Sequence, residues 1–526
     1  MASSSLKFTP VGDIDDIVVK SRKAYDERQW HLYRTKNPRK EDLKLRLRQL
    51  QNLYYGIKDH EEEIVEALES DFNRSRYETF VIELIPLYNH LLHLIDNLPR
   101  YIEPEKISES TNLFKLSSVQ VERISLGSVL VIAPFNYPVL LALDPVAAAI
   151  GSGNSVVLKP SEQTPATAQV MEKILKKSVD PSWVQVVHGS VEETGKLINN
   201  PHFDKIFYTG STKVGRIVAE AAAKNLIPVT LELGGKSPVF ITENCAPGNL
   251  KTALKRVFFG AFSNSGQTCI ASDYLLVHES QVAKVRELTK EVLDEFWPTV
   301  NSKTINTSMI HDSAYKGVIE KLNSTRGEKL QPSDAKEQLP DRRIVPTVVL
   351  GVDWDDSLME NENFAPVLPV IPYRDLDDAI RMVLKEHRNP LAMYIFSQKK
   401  QEVDRIMTIV KSGGCMINDT LLHVVAVDAP FGGIRESGQG NYHGIWSFAA
   451  FTHERTVVKQ PYWIEFVNGV RYPPFSTKKL SLARASIENK PGFKRDGSKI
   501  WPVGKIMFFS FLTVFAAGAL NYVPLR

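Results

Sequence analysis

Apolar residues recur along this chain with two distinct periods, and each period predicts a different kind of element. Over roughly residues 10–100 the spacing is helical. In KNPRKEDLKLRLRQLQNLYYGIKDHEEEIVEALESDF, Leu43, Leu47, Leu50, Leu53 and Ile57 follow one another at intervals of three and four, and Ile64 and Leu68 continue the face. At 118–126 the pattern changes to SVQVERISL, polar and apolar in alternation, which predicts a strand with one face toward solvent. GSVLVIAPF and NSVVLKPS are then short β-branched runs ending in turn residues, each followed by helical pattern (LALDPVAAAIGSG; TPATAQVMEKILKK). WVQVVHGS and KIFYTGS continue the series, so strands alternating with helices predict a parallel, doubly wound α/β sheet over about 120–235. PVFIT, YLLVH, VLPVIPY and AMYIFS supply a second α/β set to about 440, and THERTVVKQ alternates again near 452–460. Pro473 to Pro502 reads as a loosely packed connector.

The end of the chain departs from all of this. Ile506 to Leu525, IMFFSFLTVFAAGALNYVPL, runs twenty residues without a formal charge. As a helix at ~1.5 Å per residue it would cover ~30 Å, the hydrocarbon thickness of a bilayer. Residues 461–505, just before it, carry nine Lys and Arg against three acids. A basic flank and a terminal apolar segment predict a C-terminal membrane anchor with the rest of the chain facing the cytosol. A core helix is the competing reading, kept open by Asn521 and Pro524. The first twenty residues hold no long apolar run, and Asp13, Asp15 and Asp16 argue against a transit peptide.

With 526 residues, 43% apolar and 24% charged, the composition excludes disorder, a collagen-like fibre and a multi-span membrane protein. The net charge of +3 gives no reason to expect a nucleic-acid partner. Three cysteines, Cys245, Cys269 and Cys415, are too few for a disulfide framework and show no metal-binding spacing, so no metal is expected. Four Asn-x-Ser/Thr sequons (Asn73, Asn306, Asn323, Asn418) are chance matches if the domain faces the cytosol.

Candidate chemistry centres on Cys269. In FSNSGQTCIASDY the thiol lies in a run of small and polar residues, where a substrate can approach sulfur and backbone N–H groups stay free for an oxyanion. It is either a nucleophile or a buried structural Cys, whereas Cys245 and Cys415 lack such a collar and read as structural. In LELGGKSP, Glu232 stands between leucines, surroundings that raise a carboxyl pKa toward that of a general base; the alternative is an edge-strand Glu pointing to water. In APFNYP, Asn136 follows a strand where an amide serves either as an oxyanion donor or in an Asx-turn. YTGSTKVG, Tyr208 to Gly215, fits a strand–turn–helix whose N-terminus faces a diphosphate, although it is not GxGxxG. Lys159 and Glu162 in LKPSE end another strand, where ribose hydroxyls can be held.

Taken in order, Asn136, Lys159, the 210–215 turn, Glu232, Cys269, ENFAPVLPV and PFGGIRESGQG resemble the aldehyde dehydrogenase superfamily, closely over about 100–460. GNYHG, RYPPF and the terminal apolar segment resemble its class 3, fatty aldehyde branch. The resemblance implies N-terminal helices and a dinucleotide-binding domain over 1–235, with a bridging strand at about 115–126. It further implies a catalytic domain over 236–440, a return to a bridging and dimerisation element over 441–475, a basic connector over 476–505 and a membrane anchor over 506–525. It assigns Cys269 as nucleophile, Glu232 as general base and Asn136 as oxyanion donor. The dinucleotide would contact Gly210, Ser211, Thr212, Lys213, Val214, Gly215 and Leu233, with Lys159 and Glu162 at the adenosine ribose, Glu362 at the nicotinamide ribose and Phe364 near the ring.

Three positions depart from the family pattern: Phe135 replaces a usual Trp, Ala365 a usual Gly, and Asn361 the first Glu of its segment. The expected activity is oxidation of a lipophilic aldehyde to a carboxylate, with a CoA-acylating dehydrogenase and an inactive membrane-tethered scaffold as rivals. NAD is the expected cofactor and NADP remains possible, since Glu162 favours a free 2′-hydroxyl and Lys159 suits a phosphate. A homodimer is expected, held at the endoplasmic reticulum, the mitochondrial outer membrane or a lipid droplet.

Overall fold

In the computed structural model, residues 6–500 are described, except 109–113, 115, 246, 306, 336–338 and 466–468. The expected anchor at 506–525 lies outside the described residues, and among those described no helix is long and apolar enough to cross a membrane. The chain forms two units, one of residues 1–103 and 123–454, the other of 104–122 and residues from 455 on.

The N-terminal helices follow the apolar period. Ile14–Tyr33, Pro38–Asp59 and Glu61–Phe72 are α-helical, and Asn37 caps the second by accepting from the Lys40 N–H at 3.2 Å. Leu50, Leu53, Ile57, Ile64 and Leu68 are fully buried, while Leu43 and Leu47 pack half-buried at the margin. Numbering strands along the chain, β1 (Glu105–Lys106), β2 (Ser118–Ser125) and β16 (Thr452–Lys459) make a small three-stranded sheet in the order β1-β2-β16.

Two larger sheets carry the core of the first unit. One holds β3 (Ser128–Ile132), β4 (Ser155–Lys159), β5 (Val184–Val186), β6 (Lys205–Thr209), β7 (Val229–Glu232) and β15 (Gly438–Gln439), in the order β15-β7-β6-β3-β4-β5. All its pairings are parallel except that of β15 with β7. β3, β4 and β6 are buried along their whole length, which is why they read as unbroken apolar runs. The chain leaves β3 toward β4 on one side and later returns to β6 on the other, so a crevice opens beyond the carboxyl ends of β3 and β6.

The second sheet holds β8 (Pro238–Ile241), β9 (Tyr274–His278), β10 (Glu328–Leu330), β11 (Thr347–Leu350), β12 (Val367–Tyr373), β13 (Ala392–Phe396) and β14 (Gly414–Ile417). Its order is β10-β11-β12-β9-β8-β13-β14, and only β10 runs antiparallel to its neighbour. β10, β11, β14 and β15, of two to four residues each, are too short for periodicity to reveal. The expected connector from Pro473 contains a helix, Thr477–Ile487, because Ser476 caps it by accepting from the Lys479 N–H at 3.2 Å.

Candidate active site

The crevice opens into a cavity of about 580 Å³. Its walls come from the carboxyl ends of four strands: Ile132 to Asn136 after β3, Lys159 and Glu162 after β4, Tyr208 to Ser211 after β6, and Glu232 to Gly234 after β7. Cys269, Glu362 and Phe364 are also among the lining residues, so Asn136, Glu232 and Cys269 all line one space.

Cys269 is half-buried, and the segment before it is tightly wound. Asn264, Ser265 and Gly266 have φ of 53°, 55° and 69°, three successive left-handed residues of which only the last is glycine. Gly266 has no alternative, since a Cβ there would lie 2.1 Å from the Ala365 carbonyl oxygen. Gln267, fully buried, ties the segment down by donating to the Ser308 carbonyl at 3.0 Å and accepting from the Ile310 N–H at 3.0 Å. Burial, then the nearby Glu362 and Glu232 carboxyl groups, push the Cys269 thiol up to about 12, against the pull of the Cys269 and Ile270 backbone N–H groups directed at sulfur.

Glu232 ends β7 and is 3% exposed, and the short β15 pairs along the β7 edge with Gly438 opposite it. Neither carboxyl oxygen has a hydrogen-bond partner among the described residues, and burial holds the group well above the ordinary carboxylate range. The solvent-facing alternative for Glu232 is thereby excluded. Asn136 is also buried, its Nδ2 donating to the Gln267 carbonyl at 3.1 Å. An amide nitrogen carries two N–H bonds, so one remains for another acceptor.

Glu362 lies over Gly234 and accepts from the Gly235 N–H. Its pKa is raised to about 8 by burial and by Asp273, against that N–H and Lys236. The Glu362 segment is fixed from below: the Lys236 ammonium donates to Asp273, to the Leu358 carbonyl at 2.7 Å and to the Asn361 carbonyl at 3.1 Å. The Asn363 N–H donates to Asp273 Oδ1 at 2.8 Å. Phe364 takes φ 47° and meets Phe135 edge to face at 5.9 Å, while Ala365 has no positive φ, so losing the usual glycine there costs no strain.

These residues fit a nicotinamide dinucleotide. Thr209 Oγ1 and Glu362 Oε1 are buried in the cavity wall with no partner among the described residues, as hydroxyl-binding groups of a ligand site would be. Gly210 and Ser211 bring the N-terminus of the helix Thr212–Lys224 to the cavity, a ready site for a diphosphate. Lys159 and Glu162 form an ion pair beside it. Of the expected run, Gly210, Ser211 and Val214 line the cavity and Thr212, Lys213 and Gly215 do not. Helix phase explains the difference: Thr212 donates to the Glu436 carbonyl at 2.9 Å, Lys213 is exposed, and Gly215 is buried against Leu233. Ser190, Val191 and Thr194 also line the cavity. Their signal was a Ser three residues before Glu193 after a strand, which forms a capping box on the helix Val191–Ile198.

The aldehyde dehydrogenase family model matches residues 12–457. Fatty aldehyde dehydrogenase HFD1 of Saccharomyces cerevisiae is 51% identical over 512 residues, 97% of this chain and 96% of that protein. Aldehyde dehydrogenase family 3 member H1 of Arabidopsis thaliana is 37% identical over 447 residues, covering 84% of this chain and 90% of its own length. Among solved structures, substrate-bound Staphylococcus aureus AldH superposes with TM-score 0.82 at 34% identity, over 90% of this chain and 99% of that one. The chain belongs to the aldehyde dehydrogenase family, within its class 3, fatty aldehyde dehydrogenase-like branch.

Proposed function

We propose that Cys269, Glu232 and Asn136 carry the oxidation of medium- and long-chain fatty aldehydes to carboxylates. As a family member the protein is an NAD(P)-dependent oxidoreductase acting on aldehydes. The observation that carries the assignment is the convergence of a half-buried thiol, a buried carboxyl without a hydrogen-bond partner among the described residues and a buried amide on one cavity. Cys269 as thiolate adds to the aldehyde carbonyl, forming the C–S bond of a thiohemiacetal. Its oxyanion accepts from the free N–H of Asn136 and the backbone N–H of Cys269, each worth ~2.7–4 kcal/mol. A nicotinamide dinucleotide, when bound, supplies the two-electron acceptor. The thioester left on Cys269 is attacked by water as Glu232 removes the water's proton, releasing carboxylate and restoring sulfur.

Buried Glu232 favours water over coenzyme A as acyl acceptor. The relative named as a fatty aldehyde dehydrogenase and the phenylalanine pair Phe135 and Phe364 support a lipophilic substrate. Homodimerisation through the small sheet is supported by β16, which lies at its edge with most residues exposed. Membrane anchoring by 506–525, with the enzyme facing the cytosol, rests on the apolar run and its basic flank. Steady-state kinetics of the detergent-solubilised protein across aldehyde chain lengths, with NAD and NADP and with and without coenzyme A, test the reading. A requirement for coenzyme A, or rates that fall with chain length, would refute it.

A further inference from the structure

Arg74 and Glu83 are buried charges of the first unit, both with side chains at 0% exposure; neither lines the cavity, and each bonds to the backbone of the segment that begins at Asn136. The Arg74 guanidinium donates through Nη1 to Glu83 Oε1, and through Nη2 to the Asn136 carbonyl and to Asn264 Oδ1, the last at 2.6 Å. Glu83, in a π-helical turn spanning Thr79–Leu84, uses its other oxygen to accept from the Val139 and Leu140 N–H groups at 2.8 and 2.9 Å. One ion pair thus grips residues 136–140 from both ends, by the carbonyl of Asn136 and by the first N–H groups of the helix Leu140–Gly151.

Asn264 extends the grip to the cysteine segment. Its Oδ1 accepts from Arg74, and its Nδ2 donates to the Asn136 carbonyl at 2.9 Å and to the Gln267 carbonyl at 3.0 Å. The Gln267 carbonyl is also the acceptor that orients the Asn136 amide. Both the backbone and the side-chain direction of Asn136 are therefore defined by groups that Arg74 holds. Chain connectivity does not provide this: Asn136 and Asn264 lie 62 and 190 residues from Arg74.

We propose that Arg74, braced by Glu83, is the positioning residue of the oxyanion site, fixing the Asn136 amide relative to the Cys269 segment. Arg74 touches neither substrate nor sulfur. It acts through Asn136, and the inference rests on Asn136 being the oxyanion donor. A planar guanidinium with forked N–H bonds can serve a carboxylate, a carbonyl and an amide oxygen together; the single ammonium of lysine cannot hold all three in one plane. The π turn brings Glu83 to its two N–H partners, a local departure of the kind concentrated at functional positions.

The test is a double-mutant cycle on the single-turnover rate of cofactor reduction, expressed per titrated Cys269 thiol, with dinucleotide affinity measured alongside. Asn136→Ala alone should slow single turnover by about 10²–10³-fold, the effect of losing one oxyanion donor. Arg74→Lys should slow it by about 10-fold or more without exceeding the Asn136→Ala effect, and should leave dinucleotide affinity unchanged. In the Asn136→Ala background, Arg74→Lys should have almost no further effect, because the amide it positions is gone. A purely structural role would lower stability and the fraction of active sites and would slow both backgrounds equally; equal slowing overturns the proposal. If Arg74→Lys does not fold, the charge-free pair Arg74→Met with Glu83→Leu is read in the same cycle, and a wild-type rate per thiol in either variant also overturns it. Failure of the underlying reading is distinguishable: an unchanged rate in Asn136→Ala itself removes both the donor and the need to position it.

Discussion

Replacing Glu232 by Gln is the sharpest test of the proposed chemistry, because the structure separates its catalytic effect from its structural one. The carboxyl is 3% exposed and neither oxygen has a hydrogen-bond partner among the described residues, so the isosteric amide breaks no bond seen there. The change in folding stability should stay within about 1 kcal/mol, the range of substitutions that disturb no named interaction. The catalytic loss is of another size. A positioned general base contributes about 10²–10⁴-fold, which at about 1.36 kcal/mol per tenfold is about 2.7–5.5 kcal/mol of barrier. The loss falls only on thioester hydrolysis. Rapid mixing with aldehyde should therefore give a full burst of reduced cofactor, one per Cys269, followed by a steady state slowed by about 10²–10⁴-fold. KM should fall together with kcat as acyl-enzyme accumulates, leaving kcat/KM nearly unchanged. The base acts only when ionised, and burial raises its pKa well above the ordinary value, so in the wild type the steady-state rate should climb with pH through that raised value. Loss of the burst would refute the reasoning by placing Glu232 before hydride transfer, and an unchanged steady state would assign hydrolysis to another base.

Cys269→Ala should abolish aldehyde oxidation while cofactor binding, followed by fluorescence titration, stays intact; retained turnover would remove the nucleophile assignment. With its thiol at about 12, Cys269 in the free protein should be alkylated at rates that keep rising from pH 7 to 10 without a plateau, and Glu362→Gln should speed alkylation at pH 9, where that carboxyl, at about 8, is ionised beside sulfur. A plateau near pH 9 would contradict this electrostatic account. Truncation after Lys490 should release the protein from membranes and preserve oxidation of short aldehydes while lowering activity on vesicle-embedded long-chain aldehyde. Sedimentation of the truncated protein with washed membranes would place the anchor elsewhere, and loss of short-chain activity would assign the tail to the fold.

What the sequence made legible was whatever depends on short stretches. β3, β4 and β6 are buried on both faces, so their apolar runs announced themselves, and the residues that gather at their carboxyl ends were visible as polar punctuation after each run. That Asn136, Glu232 and Cys269 share one cavity followed from their order in a familiar pattern rather than from any local spacing. Helix phase was not legible: Thr212 and Lys213 stand beside Ser211 in sequence and turn away from the cavity in space. Arg74 and Glu83 gave no signal, since neither stands in a recognisable motif and the partners that the fold brings to Arg74 lie up to 190 positions away. β15 was equally silent, because two residues have no period.

That two-residue strand has a consequence for the order of events during synthesis. Glu232 leaves the ribosome as part of β7, yet Gly438, which pairs opposite it, and Ser437, whose carbonyl accepts from the Leu233 N–H at 3.0 Å, are made about two hundred residues later. Until they arrive the nascent β7 has an open edge, with backbone groups beside its terminal glutamate left unpaired. This edge of the sheet that carries the site is then closed at a definite moment, when the late segment pairs with the early one. A growing chain that already displays Glu232 and Cys269 therefore still lacks the strand that flanks Glu232, and the edge beside the site stays unpaired until residues 437–439 have been made.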